Sequence, residues 1–358
     1  MKKFTAAFFL FITAFPIFAQ PRTPLFYKLS TTETAASSIP SNSITDIVVS
    51  GDTIWLGTGR GLSRSVDGGK NWKNYFHTAE FGNDDISAIA VHNKEVWVAT
   101  AHTVKANDQS LPEGTGIHFS SDGGKTWKKF PQPVDTYNVD TIFWNSKSRI
   151  RVLGITTAIT NITYDIAVTN SDVWICSYAG MARRYSKTDS TWHVVVLPPD
   201  NLNSIGPDDS LIFDLSPSGG ALGLQNNLNH RAFSVFAEND SVIWIGTAGG
   251  INKTTDHGKS WTKFSKQNQT NPISGNFVVA IGKLQTDEKN IIWAATVNAA
   301  DVTEERGISL SEDGGFSWKQ TLLGEFVHNL GFKKSIAYAV SDNGIFRSAD
   351  FGNSWTQA

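Results

Sequence analysis

Apolar residues along this chain fall into short runs, and the runs recur in pairs. ITDIVV at Ile44, ISAIAV at Ile86 and ITYDIAV at Ile162 each precede a second run by a few polar residues. The second runs are IWLGT at Ile54, VWVAT at Val96, VWICS at Val173, IWIGT at Ile243, IWAAT at Ile292 and AYAVS at Ala337. They are rich in β-branched and aromatic side chains, are bounded by Gly, Asn and Asp, and lack helical periodicity, so they predict strands. Polar residues do not alternate cleanly with apolar ones, which predicts sheets covered on both faces.

An octapeptide closes each unit. It reads SVDGGKNW from Ser65, SSDGGKTW from Ser120, TTDHGKSW from Thr254, SEDGGFSW from Ser311 and SADFGNSW from Ser348, with a worn copy, SKTDSTW, from Ser186. Eleven of the twelve tryptophans occupy two equivalent positions in these units, leaving Trp144 outside the pattern. Each unit predicts an inner strand, a Trp-bearing strand, a third strand of the GLSRS kind, the octapeptide turn and an outer strand. Six such units predict an all-β fold, a β-propeller of six four-stranded blades, with seven as the alternative. Tandem immunoglobulin-like domains would need roughly 100 residues each, far more than the unit spacing allows. The last unit stops three residues after Trp355, and LFYKL at Leu25 is placed to supply an outer strand that closes the ring.

The octapeptide pattern S-x-D-x-G-x-x-W resembles the Asp-box, or BNR, repeat of sialidase-like propellers. The resemblance runs from about Ser43 to the C-terminus. The NSITDI and IWLGTGRGL stretches from Asn42 also resemble the propellers of periplasmic two-component regulators. In that reading Asp67, Asp122, Asp256, Asp313 and Asp350 are structural, accepting N–H groups of their own turns, while Trp72, Trp127, Trp261, Trp318 and Trp355 are packing residues. The sialidase resemblance implies three arginines, a Tyr–Glu pair and an Asp acid, with an F/Y-R-I-P motif near the N-terminus. Here only PRTP at Pro21 approaches that motif, without its aromatic residue or its Ile, so the role is not carried to Arg22. Similar xyloglucanases are built from two propellers, and this chain is long enough for one.

Composition narrows the partners. The chain carries 31 Lys plus Arg against 33 Asp plus Glu, a net charge of −2, which gives no electrostatic case for nucleic acid. Cys176 is the sole cysteine, which excludes intramolecular disulfides and multi-thiolate zinc sites. Residues 1–19, with Lys2 and Lys3 before an apolar run ending at Ile17-Phe18-Ala19, predict an export signal. Residues 20–358 then form one exported propeller, periplasmic, at the cell surface or extracellular, monomeric, without cofactor, metal or integral membrane segment. The histidines are scattered rather than set at metal-ligand spacing, and no G-x-S-x-G elbow occurs.

In an up-and-down blade the second turns and the crossovers share one face, opposite the octapeptides. The long segments Ala101–Gly116, Pro131–Asn161, Leu197–Arg231 and Asn298–Gly307 all fall there, and loops on a rigid frame are where binding concentrates. The candidate ligand-binding residues on that face are Arg60, His102, Glu113, Arg231, Asp301, Glu305, Arg306 and Asp342. Glu304, Asp208, Asp209, His230, Lys105, Arg149 and Arg151 share its loops. The expected function is binding or scaffolding of a glycan, peptide or envelope protein, with a sialidase-type glycoside hydrolase as the alternative.

Overall fold

A computed structural model describes residues 39–106, 108–137, 141–144, 148–152, 154–177, 181–211, 227–299 and 301–357. Residues 1–19, read as an export signal, Arg22 and LFYKL at Leu25 lie outside these residues. Six antiparallel sheets follow one another along the chain as blades of a propeller. Blade one comprises Ile44–Ser50, Thr53–Thr58, Gly61–Ser65 and Lys73–Asn74, and blade two Asp85–His92, Glu95–Ala106, Gln109–Ser120 and Lys128–Phe130. Blade three comprises Thr163–Val168, Asp172–Ser177, Arg183–Ser186 and Thr191–Val194. Blade four comprises Ala232–Ala237, Ile243–Thr247, Gly250–Thr254 and Trp261–Phe264. Blade five comprises Phe277–Gln285, Asn290–Val297, Gly307–Ser311 and Lys319–Thr321. Blade six comprises Val327–Lys333, Ile336–Ser341, Gly344–Ser348 and Thr356–Gln357, so its outer strand comes from the C-terminal residues.

Three segments depart from the four-strand plan. The stretch Ala101–Gly116, expected as a swollen turn, is a continuation of blade two: its second and third strands stay paired to Ala106 and Gln109, with one register slip beside Thr100. The crossover to blade three holds a separate hairpin of Thr141–Trp144 with Ser148–Arg151. In the next crossover Ser204–Ile205 pairs with Thr262 and Trp261, giving blade four a fifth strand. Trp144, the tryptophan outside the repeat, is buried here and donates its indole N–H to Gly206 O at 2.9 Å.

The same β-bulge recurs in every inner strand. Register slips between Ile44 and Asp46, Ile86 and Ala88, Thr163 and Asp165, Ala232 and Ser234, Val278 and Ala280, and Val327 and Asn329. The bulge bends the strand and re-aims the next side chain, and two blades use it to grip a neighbour. Asp46 Oδ2 accepts the Ile89 N–H of blade two at 2.7 Å, and Asp165 Oδ2 accepts the Val235 N–H of blade four at 2.8 Å. Burial pushes the two carboxyls up to about 6 and about 7, against the lowering effect of these bonds.

The octapeptide turns form one repeated structure. In the five full copies Asp Oδ1 accepts the backbone N–H four residues on at 2.9–3.0 Å, and Oδ2 accepts that residue's side chain at 2.5–2.7 Å. That donor is Asn71, Thr126, Ser260, Ser317 or Ser354. The leading Ser or Thr hydroxyl accepts the N–H of the second glycine position at 2.7–2.9 Å. These bonds favour the ionised carboxylate and lower its pKa, to about 2 for Asp67 and Asp350.

Cores lie between blades rather than within them. Five clusters of buried apolar residues straddle the joints one/two, two/three, three/four, four/five and five/six. At three joints the Trp of a second strand meets the octapeptide Trp of the next blade edge-on: Trp55 with Trp127, Trp174 with Trp261 and Trp293 with Trp355, at 6.0–6.1 Å. Each pair is roofed by a glycine with φ near +80°, Gly124, Gly258 or Gly352.

Candidate functional site

Antiparallel order places the second turns and crossovers at one rim of the ring and the octapeptides at the other. Thirteen large apolar side chains are exposed among the described residues, and six of them belong to the loop-rich rim: Val134, Tyr137, Phe143, Leu202, Val302 and Leu323. Tyr137 is 90% and Val302 100% exposed. The octapeptide rim carries two, Val66 and Phe316.

One polar cluster stands at the base of the blade-two hairpin. Strand register sets His102 opposite Glu113, and the imidazole bridges two carboxylates, Nδ1 to Asp84 Oδ1 and Nε2 to Glu113 Oε2, each at 3.0 Å. Both ring nitrogens face acceptors, so the protonated ring satisfies both contacts. Partial burial works against that charge, but the bonds to Asp84 and Glu113 outweigh it and hold the pKa above its ordinary value. Lys129 lies 3.8 Å from Asp84. Burial and the neighbouring Asp84 push the Asp85 carboxyl up to about 7, with His102 opposing. A carboxylic acid that keeps its proton near neutral pH can serve as a proton donor.

A second centre lies between the second turn of blade five and the crossover that follows that blade. A cleft of about 640 Å³ is lined by Asn298, Glu304, Glu305, Arg306, Leu323 and Gly324. Glu304 is buried and structural: its carboxylate accepts the N–H groups of Asn276 and Ala299 and the Asn276 amide, which shapes the loop. Glu305 and Arg306 are exposed at the mouth.

Of the residues chosen from sequence, the structure brings together His102 with Glu113, and Glu305 with Arg306. The others have contacts within their own or a neighbouring segment. Asp301 caps Thr303, Arg60 donates its backbone N–H to Thr58 Oγ1, the Arg231 carbonyl accepts Ala248 N–H, and Asp342 pairs with His328 at 2.7 Å. His230 is buried with Nε2 accepting Leu197 N–H, and burial lowers its pKa to about 3. Asp209 accepts the Gly206 N–H. Sequence reasoning missed Asp84, Asp85 and Lys129. It also missed the pair of buried Arg183 with half-buried Asp135, bonded at 2.8 and 2.9 Å, which pins the crossover to blade three. The adjacent Asp84-Asp85 pair before an inner strand was the available signal.

No family model and no curated protein matches the chain. Among solved structures, YCF48 from Cyanidioschyzon merolae superposes with a TM-score of 0.50 at 16% identity, over 88% of this chain and 84% of that one. The Cps50 (Swd1) β-propeller domain of Myceliophteria thermophila gives 0.50 at 11% identity, over 89% and 87%. A structure of YCF48 bound to D1 peptide gives 0.49 at 13%, over 88% and 80%. The likeness is to β-propellers. At such identities it concerns the fold alone. Among the described residues no helix is long and apolar enough to cross a membrane, and no cluster of three or more His, Cys, Asp or Glu has metal-binding geometry.

Proposed function

We propose that this is an exported, non-catalytic β-propeller of the Asp-box type that binds a glycan, peptide or envelope-protein ligand through its loop-rich face. The observation that carries the reading is the exposed apolar rim, with Tyr137 and Val302 at its extremes. Polar groups there are mostly spent on holding loops: Glu304 on Asn276, Asp135 on Arg183, Asp84 and Glu113 on His102. A rigid ring with apolar contact points and pre-ordered loops suits binding, because little freedom is lost on association. The octapeptides are structural turns on the opposite rim. One observation favours the second reading, a glycoside hydrolase: Asp85, raised to about 7, beside the Asp84–His102–Glu113 cluster.

The test is to present the purified protein from Gln20 onward to immobilised glycan and peptide libraries and, in parallel, to fluorogenic glycosides. Binding that Tyr137→Ser with Val302→Ser abolishes, with no turnover, is the expected result. Turnover that Asp85→Asn removes would replace the binding reading with the hydrolase.

A further inference from the structure

The cleft beside the second turn of blade five carries two side-chain charges of opposite sign that the fold does not pair. Glu305 and Arg306 line it and are exposed. Neither side chain has a hydrogen bond or ion pair among the described residues, and although consecutive they do not pair with each other. Elsewhere on this rim charged groups are occupied: Asp84 and Glu113 hold His102, Asp135 holds Arg183, and Asp342 meets His328. The Asn298 amide on the same lining is likewise exposed and without a side-chain partner among the described residues.

Beneath these tips the backbone is fixed. The buried Glu304 carboxylate accepts the N–H groups of Asn276, Ala299 and Asp301 and the Asn276 amide, at 2.6–3.3 Å. On one side the Glu305 N–H donates to Ser274 O at 2.8 Å, and on the other the Arg306 carbonyl accepts the Gly324 N–H at 2.9 Å. A carboxylate and a guanidinium are thus presented from an anchored segment. A ligand that pairs with both does not have to order the backbone that carries them.

Electrostatic complementarity asks for a cation opposite Glu305 and an anion opposite Arg306. The guanidinium fork matches a carboxylate in particular. One small molecule that carries an ammonium at one end and a carboxylate at the other meets both groups. The lining includes the exposed aliphatic Leu323 and no aromatic ring, so it offers an alkyl contact but no platform on which a sugar ring could stack. The volume of about 640 Å³ lies within the roughly 300–1,000 Å³ of small-ligand sites. We propose that this cleft binds short peptides with free ends, the terminal ammonium on Glu305, the terminal carboxylate on Arg306 and an alkyl side chain against Leu323. The inference rests on the reading of the loop-rich face as a binding face and narrows its ligand to one class at one place.

The probes are dialanine, trialanine, dileucine and trileucine with free ends, and the same peptides N-acetylated or C-amidated, titrated calorimetrically into the protein from Gln20 onward. Free peptides should bind. Blocking either end, or introducing Glu305→Gln or Arg306→Met, should weaken binding about tenfold or more, with Tm unchanged because both side chains are exposed and unpaired. The pairing also fixes which losses overlap: N-acetylation should cost nothing further in Glu305→Gln, and C-amidation nothing further in Arg306→Met. Free and blocked peptides that bind alike would overturn the proposal and leave the binding face standing. So would free peptides whose affinity both substitutions leave unchanged. If none of these peptides binds while an immobilised glycan or longer peptide does, the proposal alone falls. If nothing binds, it falls together with the reading of the face.

Discussion

Gly69 and Gly124 occupy the same position of the octapeptide turn with nearly the same backbone, φ +88° and +82°, so alanine at either meets the same local strain. Left-handed backbone costs a non-glycine residue roughly 1–2 kcal/mol. The surroundings differ. A Cβ at Gly124 would stand 2.4 Å from Trp55 Cη2 and 3.0 Å from the Tyr75 hydroxyl, both buried across the joint between blades one and two. At Gly69 the nearest atom is Trp72 Cζ2 of the same turn, 3.6 Å away, an ordinary contact. Overpacking of a filled core adds about 1–3 kcal/mol. Gly69→Ala should therefore cost about 1–2 kcal/mol and Gly124→Ala about 2–5 kcal/mol. Urea unfolding followed by tryptophan fluorescence reads the difference as a shift in midpoint at constant slope. Equal losses would refute the account, because strain alone would then explain both.

Other expectations follow from the same geometry. Arg183→Met strands the half-buried Asp135 carboxylate, which keeps only its Ile155 N–H bond, and should cost about 1–3 kcal/mol, whereas the double variant with Asp135→Leu should recover much of it in the same unfolding assay. Stability should fall as pH rises from about 4 to about 7: Asp46, Asp85 and Asp165 ionise in the folded protein near 6, 7 and 7 but near 3.9 when unfolded. Between those values the folded state holds more protons, and each group removes up to about 1.4 kcal/mol per pH unit. Asp165→Asn should flatten the profile above pH 5, and an unchanged slope would count against the burial argument. The His102 imidazole should titrate above 6.5 by NMR and drop in the Asp84→Asn variant. Its raised pKa contributes stability that is full below the unfolded value and lost as pH climbs through the folded one.

The blades were legible because their signals are local. Asp67 and its four counterparts make every bond within four residues, so the octapeptide carries its own structure, and the tryptophans mark the strands on either side. The blade-two hairpin was not legible. Pro112 and Gly114 sit inside paired strands among polar residues, which reads as loop because the pairing needs no apolar face beyond the ring. The His102 cluster escaped for a different reason: its acid Asp84 lies 18 residues away in sequence and meets the ring only through the sheet. Least legible was the exposure of Ile47 and Val49 in blade one, whose run ITDIVV is composed like the ISAIAV that buries Ile89. Nothing within either run says whether a neighbour covers it.

The distribution of the cores between blades also bears on how the molecule comes apart. A closed ring has no ends, so each sheet can loosen only by breaking two contacts at once. Among the described residues five apolar cores join six blades, so blades one and six each share a core with a single neighbour. Fraying can then start at either terminus and travel inward. Amide exchange should grade along the chain, fastest in blades one and six and slowest in blades three and four, where two cores flank each sheet.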